Sequence, residues 1–139
     1  MIIDVQDASN YFKGLLLLIR KDRIVTEEEV AFMTRIGRSL GFEQGFCATA
    51  IRDILDNTYI VDLPVVLSSR DLAVKFIRDG LTLASSDNEV HPVEEEWLRS
   101  IARMNGLEMG WFDEERQRVS ARTGPPGRLE IEDLTVTFR

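Results

Sequence analysis

The stretch DNEVHPVEEEWLRSIARMNGLEMGWF, residues 87–112, reads as a second copy of DRIVTEEEVAFMTRIGRSLGFEQGFC, residues 22–47, in register and without a gap. Asp22 falls opposite Asp87, Val25 opposite Val90, Glu29 opposite Glu94, Ile36 opposite Ile101, Gly41 opposite Gly106 and Gly45 opposite Gly110. Phe32 with Trp97, Met33 with Leu98 and Phe46 with Trp111 keep the character of their positions. Upstream, Tyr11, Phe12, Leu16 and Leu18 match Phe76, Ile77, Leu81 and Leu83. An internal repeat outranks local propensity in deciding a fold, because each unit buries its apolar face on its neighbour. The expected architecture is therefore all-α and pseudo-symmetric, with about six to seven helices built from two helix, acidic loop, helix units.

Working outward from the repeat, residues 9–56 form unit one, 57–67 a linker and 68–121 unit two, together a domain over 1–122 followed by a tail, 123–139. A first helix is expected over 9–21, with Phe12, Leu15, Leu16 and Ile19 at helical spacing and Leu17 and Leu18 widening the apolar arc until most sides are buried. Thr26 opens a second helix with complete start signals. Glu29 completes a capping box, acids fill the first turn, and Val25 and Val30 sit at the two positions of a hydrophobic staple. Phe32, Met33, Ile36 and Leu40 give its inward face, and Gly41 supplies the left-handed residue that ends it. A third helix is expected over 43–56, burying Phe46, Ala50 and Ile54, with Cys47 as a further apolar position.

The linker NTYIVDLPVVL carries Pro64 among β-branched residues, which argues against a continuing helix, and it is apolar enough to pack across the domain. Ser69 can cap a fourth helix reaching Ala84, with Leu72, Phe76, Leu83 and either Val74 or Ile77 inward. Pro92 suits the first position of a fifth helix, where Trp97, Leu98 and Ile101 repeat the inward face before Gly106 stops it. A sixth, over 108–121, carries Trp111, Phe112 and Val119 on one side and Asp113, Glu114, Glu115, Arg116 and Arg118 largely on the other. TGPPG at 123–127 is a breaker. Beyond it LEIEDLTVTF has strand character with no sheet in view, so it reads as a flexible tail, or more sharply as a strand that joins the same tail of a second chain or a partner's edge.

Composition narrows the function classes. A net charge of −7 with clustered acids disfavours a nucleic-acid partner, since phosphate binding needs clustered cations. One Cys and one His can build neither an intramolecular disulfide nor a structural zinc site within one chain, and suit a reducing cytoplasm. MIIDVQDASN lacks a basic segment followed by an apolar one, and the apolar run 15–19 is too short to cross a bilayer, so the chain is expected to be soluble. No phosphate-cradling glycine loop, nucleophile elbow or catalytic carboxylate pair with a recognisable context appears, and no catalytic residue is assigned.

An apolar helix, then Asp-x-x-Val, then an acidic helix start with Glu seven positions after the Asp, given twice, resembles the TerB-like family of tellurite-resistance and related co-chaperone domains. The resemblance covers residues 9–120. It implies a compact helical domain in two related halves, acidic residues that bind a divalent metal, and a role in stress-response complexes at or near the membrane. The chain departs from the family where Gly usually follows the loop Asp: Arg23 and Asn88 stand there, and Asn tolerates a left-handed turn better than Arg.

On that resemblance the candidate metal ligands are Asp87, Glu89 and Glu94 in the second loop, with Asp22 and Glu29 as a weaker twin flanked by Lys21 and Arg23. Carboxylates and carbonyls suit a hard ion, Ca²⁺ or Mg²⁺. The loop is no EF-hand: counting from Asp87, Pro92 and Leu98 stand where Gly and Glu are required. The rival reading is that Glu27, Glu28, Glu29, Glu94, Glu95 and Glu96 only stabilise helix N-termini. His91 falls at a helix cap, exposed; Cys47, Trp97 and Trp111 read as packed; Arg38 and Arg103 read as surface ion-pair partners ahead of a family interaction site. The functional expectation is a non-enzymatic binding module in a bacterial stress-associated assembly, metal-responsive or else a metal-independent adaptor. A protein partner or a second copy would bind it, in the cytoplasm or peripheral to a membrane complex. A hydrolytic enzyme would need a concave site joining acids of both units.

Overall fold

Asp4 decides where the first helix begins. In the computed structural model, which describes residues 1–21, 26–56, 64–85, 90–121 and 128–137, its carboxylate accepts the Asp7 amide at 2.8 Å and caps α1, Val5–Arg20. The helix thus starts a turn earlier than the apolar spacing from Ser9 suggests, because a good cap fixes the start independently of where burial begins. Leu15, Leu16, Leu17, Leu18 and Ile19 are all fully buried. An isolated amphipathic helix cannot bury five consecutive residues; α1 does so because it touches α2, α3, α4 and α5 at once. It is the axis of the domain.

Around it run α2 (Glu27–Ser39), α3 (Gln44–Asp56), α4 (Arg70–Ala84), α5 (Pro92–Met104) and α6 (Met109–Ser120). Among the described residues the domain is all-α apart from two three-residue strands. Start and stop signals act where expected. Thr26 and Glu29 form the capping box, Ser69 caps α4 through the Leu72 amide at 3.1 Å, and Pro92 occupies the first turn of α5. Gly41 and Gly106 take φ of 81° and 76°, left-handed values that cost glycine little. In each stop the next residue's amide reaches back to close the helix: Phe42 to the Gly37 carbonyl and Leu107 to the Ala102 carbonyl, both at 2.9 Å.

Close approach of helices depends on small residues. A Cβ on Gly14 would stand 2.8 Å from the Phe76 ring, and one on Gly37 would overlap the Cys47 sulfur. The second contact explains a correction in α3. With Cys47 turned toward Gly37, the inward arc runs through Cys47 and Ile51, while Ala50 and Ile54 are half-buried and Phe46 is swung out to 55% exposure, its ring edge resting on Phe42. Glu115 is a second correction. It is buried on α6, where Arg118 and Arg78 both donate to it, at 2.5 and 3.3 Å. A carboxylate can occupy an inward position when cations accompany it.

The approach to α4 packs as expected where it is described: Val65 and Leu67 are buried, and Asn105 ties both through the Val65 carbonyl at 2.9 Å and the Leu67 amide at 2.8 Å. In α4 it is Ile77 that is buried and Val74 that is half-buried. Linker residues 57–63 and the breaker 123–127 lie outside the described residues.

Residues 128–137 are neither loose nor in need of a second chain. A 3-10 turn, Glu130–Asp133, leads into β2, Thr135–Thr137, which pairs in parallel with β1, Ile2–Asp4, in the register Ile3 to Val136. The sheet that was not in view in the sequence is completed by residues 2–4, three residues too short to announce themselves as a strand. Leu129, Ile131 and Leu134 are buried beneath this segment, which rests on α1, α2 and α4.

Candidate functional site

Two acidic helix starts are the candidates. At α2, the Glu29 Oε1 accepts the Thr26 amide at 3.0 Å and its hydroxyl at 3.2 Å, while the Thr26 hydroxyl receives the Glu29 amide at 3.1 Å. Glu29 is buried, and its Oε1 closes the capping box of its own helix. Beside this start, Lys21 places its ammonium 4.3 Å from the centre of the Trp97 ring, a cation already held by an aromatic face. Val30 is 37% exposed and its staple partner Val25 lies outside the described residues.

At α5 the same helix problem is solved differently. His91 holds the cap position, half-buried rather than exposed, and its side chain makes no capping bond. Pro92 removes one of the amides that would otherwise need a partner. Glu94 is 1% exposed, more deeply buried than Glu29 at 6%. Asp87, Glu89 and Asp22, with Arg23 and Asn88, lie outside the described residues. Of the five predicted ligands the structure therefore describes Glu29 and Glu94, on different helices, and among the described residues no three His, Cys, Asp or Glu side chains gather as a metal group. At the first start the Glu29 Oε1 already accepts from Thr26.

The remaining candidates resolve into packing. Trp97 is buried and its indole N–H reaches the Gly14 carbonyl at 3.3 Å, joining α5 to α1; Trp111 is half-buried. Cys47 lies at the base of a hollow of about 70 Å³ with Thr34, Arg38, Phe42 and Gln44, and burial pushes its thiol up, away from a reactive thiolate. Arg38 and Arg103 are exposed, and among the described residues neither forms the expected ion pair. Other arginines do form surface ion pairs, among them Arg99, with Asp113 at 2.5 Å and Glu95 at 3.5 Å, and Arg116 with Glu95.

A further buried carboxylate was not anticipated. Asp79 on α4 is 2% exposed and accepts three donors: the Tyr11 hydroxyl at 2.7 Å, the Glu130 amide at 2.7 Å and the Ile131 amide at 2.9 Å. Burial pushes its carboxyl up to about 6, against the pull of those donors, and burial with the Asp79 charge pushes the Tyr11 hydroxyl well above its ordinary value. Its signal was present in the sequence. Asp79 stands three residues after Phe76 and seven after Leu72, on the apolar arc of α4.

No family model, curated protein or solved structure matches the chain. Among the described residues no helix is long and apolar enough to cross a membrane.

Proposed function

We propose that this chain is a non-enzymatic, TerB-like binding module built on a duplicated unit, and that its second acidic loop responds to a divalent cation, Ca²⁺ or Mg²⁺. Asp87 and Glu89 would supply oxygen ligands from the loop, with Glu94 at the helix start beside them. The observation that carries the reading is Glu94: a carboxylate 1% exposed at the head of α5, seven residues after Asp87 in the sequence. Carboxylate oxygens at that spacing suit a hard divalent cation. A helix N-terminus disfavours a cation, so the loop oxygens must outweigh it. The setting, a bacterial stress-associated or tellurite-resistance-associated assembly, cytoplasmic or peripheral to a membrane complex, rests on the family resemblance.

A second reading has its own support. The closed capping box at Glu29 is a helix-start role complete in itself, and it favours a metal-independent adaptor whose acids shape helices and surface potential. Thermal unfolding of metal-stripped protein with Ca²⁺, Mg²⁺, Mn²⁺ or Zn²⁺ added singly separates the two, because a ligand that binds only the folded state raises its stability. A rise with one ion, lost in Asp87→Ala, supports the metal module. No rise at millimolar ion leaves the adaptor.

A further inference from the structure

We propose that residues 128–137 form a strap that opens and closes as a unit on a standing helical body, with Asp79 as its latch. Among the described residues the strap's bonds to the rest of the chain run to distant positions, and none belongs to a helix ladder of the body. They include the Asp79 bonds, the Thr135 amide to the Met1 carbonyl at 2.9 Å, the N-terminal ammonium to the Asp133 carbonyl at 3.3 Å and the Thr137 hydroxyl to the Ile3 carbonyl at 3.3 Å, while the Glu132 and Leu134 amides bond within the strap, to the Leu129 and Ile131 carbonyls. Opening therefore costs the strap's own contacts and leaves α1 to α6 intact. Units of this kind, short and held by few ladders, are the ones that open below the global unfolding threshold.

The latch is specific. The first amides of a 3-10 turn have no partner within the turn, and Asp79 takes two of them, one on each carboxylate oxygen, acting as a cap supplied by another helix. Tyr11 on α1 holds the carboxylate from behind. Leu129, Ile131 and Leu134 fill the apolar floor on either side. The charges around it are half-exposed pairs: Lys75 and Arg78 of α4 with Glu130 at 3.2 and 3.7 Å, and Arg35 of α2 with Glu132 at 2.5 Å. From α6, Glu115 engages Arg78, and α5 presents Leu98 against Gly80.

The latch carries a pH sense. With the strap closed, burial is the largest influence on Asp79, the Glu130 charge adds to it, and the carboxyl sits at about 6. Opening admits water, removes Glu130 and lets the carboxyl fall back toward its ordinary 3.8. The closed state then holds the proton more tightly, so closing is favoured as pH falls through about 6 and opening as pH rises above it. Opening bares Ile3 and the Tyr11–Asp79 pair, a surface offered only in the open state.

Native-state amide exchange on the full chain, corrected for intrinsic rates, tests this. The Ile131, Glu132, Leu134 and Thr135 amides are expected to exchange through openings that leave the Leu16 and Ile101 amides protected. Strap protection is expected to be about tenfold lower at pH 7 than at pH 5, the ratio given by a carboxyl moving between about 6 and 3.8. Asp79→Asn, which cannot titrate, removes that pH dependence. Tyr11→Phe deletes a donor that holds the carboxyl down and so shifts the midpoint to higher pH, a displacement that a purely structural role for Tyr11 would not produce. Strap amides that exchange only together with the helical core, or a pH dependence that persists in Asp79→Asn, would overturn the proposal.

Discussion

The starts of α2 and α5 face one problem with two sets of residues. Each must satisfy backbone amides that no preceding turn can accept, and each places a glutamate in the first turn. At α2 the answer is local: Thr26 and Glu29 exchange bonds in a capping box. At α5 a proline removes an amide, the cap residue is a histidine without a capping bond, and the glutamate is buried more deeply. Glutamates of the first turn in two helices therefore sit at differently built starts. What distinguishes them is the residue at the cap, because a hydroxyl can reach the third amide of the helix and an imidazole here does not.

The comparison breaks or sharpens under four measurements. Cation addition has the largest expected effect: at a hundredfold excess over the dissociation constant, a bound Ca²⁺ or Mg²⁺ stabilises the fold by roughly 2.7 kcal/mol. Calorimetry should show that gain vanish in Glu94→Gln and survive in Glu29→Gln; equal loss in both would erase the distinction between the starts. Thr26→Ala comes next. It opens the capping box and is expected to lower the unfolding free energy by about 1 kcal/mol, measured by urea denaturation, with no effect on any cation response. Installing the missing cap, His91→Thr, should raise the stability of the metal-free protein by roughly 0.5–1 kcal/mol, and a loss would mean that His91 is already serving the start in another way.

Acid dependence is the smallest effect and the background against which the others are read. Burial opposes ionisation of Glu115, but the Arg118 and Arg78 bonds outweigh it and hold its carboxyl below the usual range. A carboxylate lowered in this way stabilises the fold above its ordinary pKa and loses that contribution as pH falls through the lowered value. Replacement by Gln should flatten the acid limb of a stability-versus-pH curve by about 0.3 kcal/mol. Asp79 works in the opposite direction, since its carboxyl is raised to about 6 and the folded chain gains from protonation below that pH. Two buried carboxylates of one domain thus pull the acid response in opposite senses, and the curve of Asp79→Asn and that of Glu115→Gln should diverge from wild type to opposite sides.

Much of the helical framework was legible because its signals are local. Thr26 with Glu29, Ser69, Pro92, Gly41 and Gly106 each act within a few residues of their own position, and a reader of the chain meets everything they need. The Phe46 expectation failed for a reason that periodicity cannot contain. An apolar face predicts that a helix buries one side, but the rotation of α3 is set by the absent side chain of Gly37 on another helix, into which Cys47 fits. Glu115 failed likewise, since its inward place depends on Arg78 of α4.

By itself the sequence determined an all-α domain, its helix boundaries to within a few residues, the acidic starts and most of the core. The tertiary structure alone decided that the C-terminal segment would find its sheet in residues 2–4, that Asp79 would hold it, and that the carboxylates at α2 and α5 would be unequally buried. The physical reason is range. Caps, stops and amphipathic faces are interactions between neighbours in the chain, whereas a strand partner more than a hundred residues away, or a buried acid's donors on two other elements, exists only once the helices have packed.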